Sequence, residues 1–185
     1  MNYNILIAGV GGQGTLLAGK ILGRFALNMN WDCKISEVHG MAQRGGSVLT
    51  HVRMGTDAVY SPIVEQGNAD AVLAFEYLEA LRYADYLKQS GALIYSSQQI
   101  MPMSVVSGEK EYPSSSAMPK NAVSIDALKI ADGLGNLKIV NTVVLGKLCK
   151  VMKFDYNKML DAIFVNVPLP MSEINKKGFD AGYNA

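Results

Sequence analysis

Ile5-Leu6-Ile7-Ala8-Gly9-Val10-Gly11-Gly12-Gln13-Gly14, followed by an apolar-striped run to Met29, decides how this chain folds. Four consecutive apolar residues read as a buried strand, and the glycines after them as a tight strand-to-helix turn. Gly9, Gly11 and Gly14 fall in the G-x-G-x-x-G register of a dinucleotide-binding turn. Glycine there permits the sharp turn and lets an anion approach backbone N–H groups at a helix start. Leu17, Ile21, Phe25 and Met29 then recur every four residues, with Lys20, Arg24 and Asn28 as a polar stripe beside them. That pattern predicts a helix lying on a sheet, and so a β-turn-α unit of an α/β domain.

Two relatives of this motif bear on the ligand. Gly14, Gly19 and Lys20 match the start of a P-loop, but Ile21 follows where Ser or Thr would hold Mg²⁺. A nicotinamide dinucleotide site wants an acid about 20 positions on, at the end of the second strand. Glu37 lies near that place.

Outward from this unit, the chain has 185 residues, about half of them apolar, with a net charge of +1. That suffices for one α/β domain with a substantial core, and gives no reason to expect nucleic acid as a partner. No apolar run reaches the length of a membrane span, and the N-terminus enters a strand without a signal-peptide pattern, so a cytoplasmic protein is expected. Cys33 and Cys149 are the only cysteines. A disulfide framework, structural zinc or an iron–sulfur cluster needs more thiols or other spacing, so both read as buried free thiols.

Further strands are predicted over 31–38, 48–54, 71–75 and 92–95, with a helix carried by Leu78, Leu81 and Ala84 that ends at Ser90-Gly91. From Met101 to Asn121 the pattern dissolves into Pro, Ser and Gly, as a surface excursion or irregular strands would. Val123 to Ile125 can add a strand, and Asp126 can cap a short helix ending near Gly133-Leu134-Gly135. Helices are predicted over 141–152 and 155–165; Pro168 and Pro170 then end regular structure, leaving a polar tail. The expected architecture is a three-layer, Rossmann-like, mostly parallel sheet with helices on both faces.

A second candidate site follows the second strand, from Glu37 through Arg44-Gly45-Gly46-Ser47. A guanidinium beside glycines suits a carboxylate or phosphate, but it equally suits a local acid at a turn, and both readings stand. His39 and His51 lack metal-ligand spacing, and the ten methionines suit adaptable packing or an interface. No G-x-S-x-G, H-E-x-x-H or nucleophile–base pairing is present.

Taken together, Gly9 to Gly14 and the Glu37-to-Ser47 loop closely resemble the gamma-type subunit of 2-oxoacid:ferredoxin oxidoreductases. Ala69 to Glu76 and Asn141 to Gly146 fit the same pattern, which is most like the small subunits of the indolepyruvate branch. The resemblance spans residues 1–185 as one gamma-type domain and implies a subunit rather than a complete catalyst. It implies oxidative decarboxylation of a 2-oxoacid to acyl-CoA and CO₂, with thiamine diphosphate, Mg²⁺ and [4Fe-4S] clusters on a large partner subunit and ferredoxin as acceptor. It further implies coenzyme A as the ligand of this chain, no tightly bound cofactor, and contacts at Gly9, Gly11, Gly12, Gln13, Gly14, Glu37, Arg44, Gly45 and Gly46. A homodimer is the alternative state for the isolated chain. A free NAD(P)-binding dehydrogenase and a ligand-free scaffold are the competing readings.

Overall fold

The computed structural model describes residues 1–40 and 46–185. Strand β1 is Asn2–Val10, followed by helix α1 over Thr15–Asn28. Strands β2 (Asp32–His39), β3 (Ser47–Gly55) and β4 (Ala69–Ala74) come next, then a short α2 (Tyr77–Arg82) and β5 (Leu87–Ser96). The remainder is α3 (Met103–Val106), β6 (Val123–Ile125), α4 (Ala127–Gly133), α5 (Val140–Met152), α6 (Tyr156–Asn166) and α7 (Ser172–Asn184).

The strands form one sheet in the order β2-β3-β1-β4-β5-β6. β1, β4, β5 and β6 pair in parallel, whereas β3 is antiparallel to both β1 and β2. Five strands therefore share one direction and β3 alone is reversed, giving the mostly parallel sheet that the alternation of strands and helices predicts. Residues 40–46 are too few for a parallel crossover, which takes about a dozen, so β2 and β3 pair as neighbours.

One sheet face is thickly covered. Ile5, Ile7, Val52 and Leu73 pack there with Phe25 of α1, Val144 and Leu148 of α5, Ile163 of α6 and Phe179 of α7. The other face is thin: Leu6, Ala8, Val72 and Leu93 meet Ala80 of α2 and Val64. His51 is buried on this side, and its Nδ1 accepts the Val64 N–H at 3.2 Å. Burial pushes its pKa down, so it is a neutral structural histidine.

The structure corrects three sequence expectations. No helix reaches Ser90-Gly91. α2 ends at Arg82, and β5 starts at Leu87 with Gly91 inside it, where the ladder shifts register between Ala69 and Ala71. A Cβ at Gly91 would stand 2.7 Å from the Ala69 carbonyl, so this glycine marks a close strand approach and not a helix end. The polar tail is likewise a helix: α7 lies against α5 with Asn175, Gly178, Phe179 and Gly182 buried. A methyl group on Gly182 would overlap the Val143 carbonyl, and one on Gly146 the Phe179 carbonyl. These residues read as helix breakers by propensity, but they are the contact itself. Third, Cys33 is only half-buried, whereas Cys149 is buried. Burial raises the two thiols to about 11 and about 12, respectively.

The excursion after β5 is not strand-like. It holds α3 and a 3-10 turn over Ser115–Ala117. The Tyr112 hydroxyl donates to buried Glu76 (2.6 Å) and the Tyr77 hydroxyl to the Ser114 carbonyl (2.6 Å), strapping it to the start of α2.

Candidate functional site

The glycine turn lies where β1 ends and α1 begins. Gly12 has φ +98° and Gly14 φ +82°, the left-handed region in which a side chain is strained. A Cβ on Gly12 would meet nothing within 4 Å, so the backbone is open there. Gly9 is crowded instead: a Cβ would come within 2.9 Å of Thr15 and 3.0 Å of Gln13. Helix α1 has Gly14 as its N-cap, no side-chain cap and no acid in its first turn. Its first N–H groups are thus unclaimed by a capping side chain, which favours an anion.

Gln13 is a brace. Its Oε1 accepts the Val10 N–H at 2.8 Å, and its Nε2 donates to the Phe75 carbonyl at 3.2 Å and to Gln98 Oε1 at 3.3 Å. One side chain therefore joins the ends of β1, β4 and β5.

The end of the second predicted segment, Gly46 and Ser47, lies at this turn. Gly11 N–H donates to the Gly46 carbonyl at 2.9 Å, and Val10 pairs with Ser47 across β1 and β3. Arg44 and Gly45 lie outside the described residues. Glu37 sits on β2, separated from β1 by the reversed β3, and its Oε2 is 3.5 Å from Thr50 Oγ1. In a nicotinamide site the ribose acid ends the strand beside the first one. Here that neighbouring position is taken by β3.

Glu79 and Arg82 carried no sequence signal of their own. Ser47 Oγ donates to Glu79 Oε2 at 2.5 Å, and Arg82 Nε lies 3.2 Å from Glu79 Oε1. Burial raises the Glu79 pKa, with the Ser47 hydrogen bond and Arg82 opposing that shift. On the other side, the turn opens into a cavity of about 330 Å³ lined by Gly12, Gly14, Gln98, Ile100, Lys138 and Asn141, among others. The far wall is the start of α5. The sequence shows that helix over 141–152, but nothing in it places its start at this turn.

Among the described residues no group of three or more His, Cys, Asp or Glu could hold a metal ion. No helix there is long and apolar enough to cross a membrane. The two cysteines sit on β2 and α5, so this chain alone lacks the four thiolates of a [4Fe-4S] cluster.

The pattern of the pyruvate ferredoxin/flavodoxin oxidoreductase family matches residues 4–185. The chain belongs to this family. It is 38% identical to the indolepyruvate oxidoreductase subunit IorB of Thermococcus kodakarensis and 39% identical to that of Pyrococcus horikoshii. Both matches cover 99% of this chain and 95% of the relative. In structure it resembles the gamma subunit of a keto/oxoacid ferredoxin oxidoreductase from Geobacter sulfurreducens. The TM-score is 0.74 at 24% identity, covering 98% of this chain and 96% of the other. The 2-oxoglutarate:ferredoxin oxidoreductase of Magnetococcus marinus, solved with 2-oxoglutarate, coenzyme A and succinyl-CoA bound, gives 0.76 at 18% identity. That match covers 99% of this chain and 30% of the other, so the fold recurs as part of a longer polypeptide. As a member of the pyruvate ferredoxin/flavodoxin oxidoreductase family, the chain is a small subunit of the 2-oxoacid:ferredoxin oxidoreductase type.

Proposed function

We propose that this chain completes an indolepyruvate, or other aryl pyruvate, ferredoxin oxidoreductase and receives coenzyme A at the glycine turn. The observation that carries the reading is the turn itself. Gly12 is open, α1 lacks a side-chain cap, and the Gly11–Gly46 hydrogen bond brings the end of the Arg44 loop alongside. Backbone N–H groups, a helix start and a guanidinium together suit the phosphates of coenzyme A. The thiolate count supports placing the clusters on a large partner subunit, together with thiamine diphosphate and Mg²⁺, which supply the carbon–carbon bond cleavage. Ferredoxin then meets the complex through that partner, in the cytoplasm. Exposed Ile100, which lines the cavity, and the exposed Met101, Met103 and Val106 that follow it in the chain suit a face covered by a partner.

The test compares the isolated chain with the reconstituted complex. The isolated chain is expected to oxidise no 2-oxoacid, and the complex to do so with coenzyme A dependence. Turnover by the single chain with thiamine diphosphate and an artificial acceptor would overturn the subunit reading. Arg44→Ala in the complex is expected to weaken coenzyme A binding by about 1.5–3 kcal/mol, the range for a charge-assisted contact. Unchanged coenzyme A dependence in an intact complex removes the ligand role, and failed association makes Arg44 an interface residue.

A further inference from the structure

The short helix α2, on the thin face of the sheet, carries two buried carboxylates that take no part in the proposed function. Glu76, its N-cap, is 1% exposed, and Glu79, in its first turn, is 3% exposed. Burying two carboxylates three residues apart is a poor way to stabilise a helix, since each loses water beside a like charge. Among the described residues only the half-exposed Arg82 guanidinium forms an ion pair with either. Their cost points to a geometric task, and their hydrogen bonds say where it lies.

Glu79 faces the back of the glycine turn. The Ser47 hydroxyl has one hydrogen and gives it to Glu79 Oε2, so the Tyr83 hydroxyl, 2.9 Å from Ser47 Oγ, donates in that contact. Ser47 pairs with Val10 at the end of β1, and the Gly46 carbonyl before it accepts the Gly11 N–H. Fixing Ser47 therefore fixes the peptide plane that carries this carbonyl. A carboxylate suits the place because both its oxygens accept, one from the Ser47 hydroxyl and one from Arg82 Nε. A neutral amide would have to turn its NH₂ towards one of those donors.

Glu76 faces the opposite wall. Its Oε2 accepts the Glu79 N–H at 3.0 Å, and its Oε1 accepts the Ile100 N–H at 2.9 Å and the Tyr112 hydroxyl. Beside it the Tyr77 N–H donates to the Gln98 carbonyl at 2.9 Å. Gln98 and Ile100 line the cavity into which the turn opens. One six-residue helix thus grips both the strand end behind the turn and the segment across from it.

We propose that Glu79 is a positioning residue for the glycine turn. Its carboxylate holds the Ser47 hydroxyl, and through it the Gly46 carbonyl that keeps the Gly11 N–H turned inward. Glu76 is its counterpart at the far wall. The proposal rests on the reading of the turn as a ligand site, and assigns no ligand of its own.

Amide hydrogen exchange in the full chain, without ligand, tests it. Glu79→Gln is expected to speed exchange of the Gly11 amide about tenfold or more, as loss of one charge-assisted hydrogen bond would, while the Leu148 amide in the thick layer changes little. Ser47→Ala keeps both carboxylates, so it reads the same bond even if Glu79→Gln does not fold. It is expected to match that effect, with Ser47→Thr, which keeps the hydroxyl, restoring protection. The double variant should be no faster than either single one, because both changes remove one bond. In the reconstituted complex the two single variants are expected to raise the KM for coenzyme A and leave kcat near the parent's.

A Gly11 amide at the parent's rate in both variants would overturn the proposal. So would a rise that Leu148 shares by the same factor, since that is general loosening. Fast Gly11 exchange with an unchanged KM for coenzyme A keeps the positioning role and removes coenzyme A from the turn. An unmoved Gly11 amide in a complex whose coenzyme A dependence is lost on altering Arg44 does the reverse.

Discussion

Helices α1 and α5 start at one cavity, yet they are held in place by different kinds of contact. α1 lies on the sheet through Gly19 and Gly23. Added Cβ atoms there would meet the tips of side chains, Thr50 Cγ2 at 2.8 Å and Ile35 Cδ1 at 2.7 Å. α5 instead packs on α7 backbone to backbone, through Gly146 and Gly182. A side-chain tip can rotate away at small cost, whereas a carbonyl in the next helix moves only with its whole element. The position of α1 should therefore tolerate change, and that of α5 should not.

The sharpest way to break this contrast is Gly182→Ala. The new methyl would overlap the Val143 carbonyl, and the expected loss is about 3 kcal/mol or more, from overpacking with no free side chain to give way. A urea titration followed by circular dichroism measures it, and an unchanged midpoint would mean that α7 slides easily along α5. Next in size is Gly14→Ala, at the point where the two helix starts meet. The left-handed backbone costs an L-residue about 1–2 kcal/mol, and the methyl would also press on Asn141 Nδ2 at 2.9 Å. The same titration should show that loss.

The smallest effects belong to α1. Gly19→Ala presses on Thr50, which is fully buried, and is expected to cost between zero and about 1 kcal/mol after the helix-propensity gain of alanine. Gly23→Ala meets only the terminal methyl of Ile35, which is 38% exposed, and should stabilise the protein by up to about 1 kcal/mol. If thermal unfolding places Gly23→Ala below the parent, the tolerance assigned to α1 is wrong.

The two helices also differ in what can be read from the chain. α1 is announced by the Gly9 to Gly14 motif and the Leu17, Ile21, Phe25 stripe, and the structure puts both where they point. The body of α5 is equally plain, but its role at the cavity is not. An asparagine in a first helical turn has no motif, and only the tertiary fold brings it over Gly14. α7 was missed because its contact surface is glycine, which local propensity counts against a helix and tertiary packing requires. The direction of β3 is invisible in its alternation, since period two looks alike in both senses. The shortness of 40–46 was the usable signal. Glu79 and Ser47 lie 32 positions apart, and no local pattern could pair them.

Gln13 bears on how such a motif could be transplanted. Its carbonyl oxygen serves the turn, but its amide group is spent on Phe75 and Gln98, which lie 62 and 85 positions away in the chain. A designer moving Gly9-Val10-Gly11-Gly12-Gln13-Gly14 into another sheet would carry the glycines and leave the glutamine without its anchors. The transferable unit is three strand ends with one side chain between them, and any graft of the hexapeptide by itself starts with a loose turn.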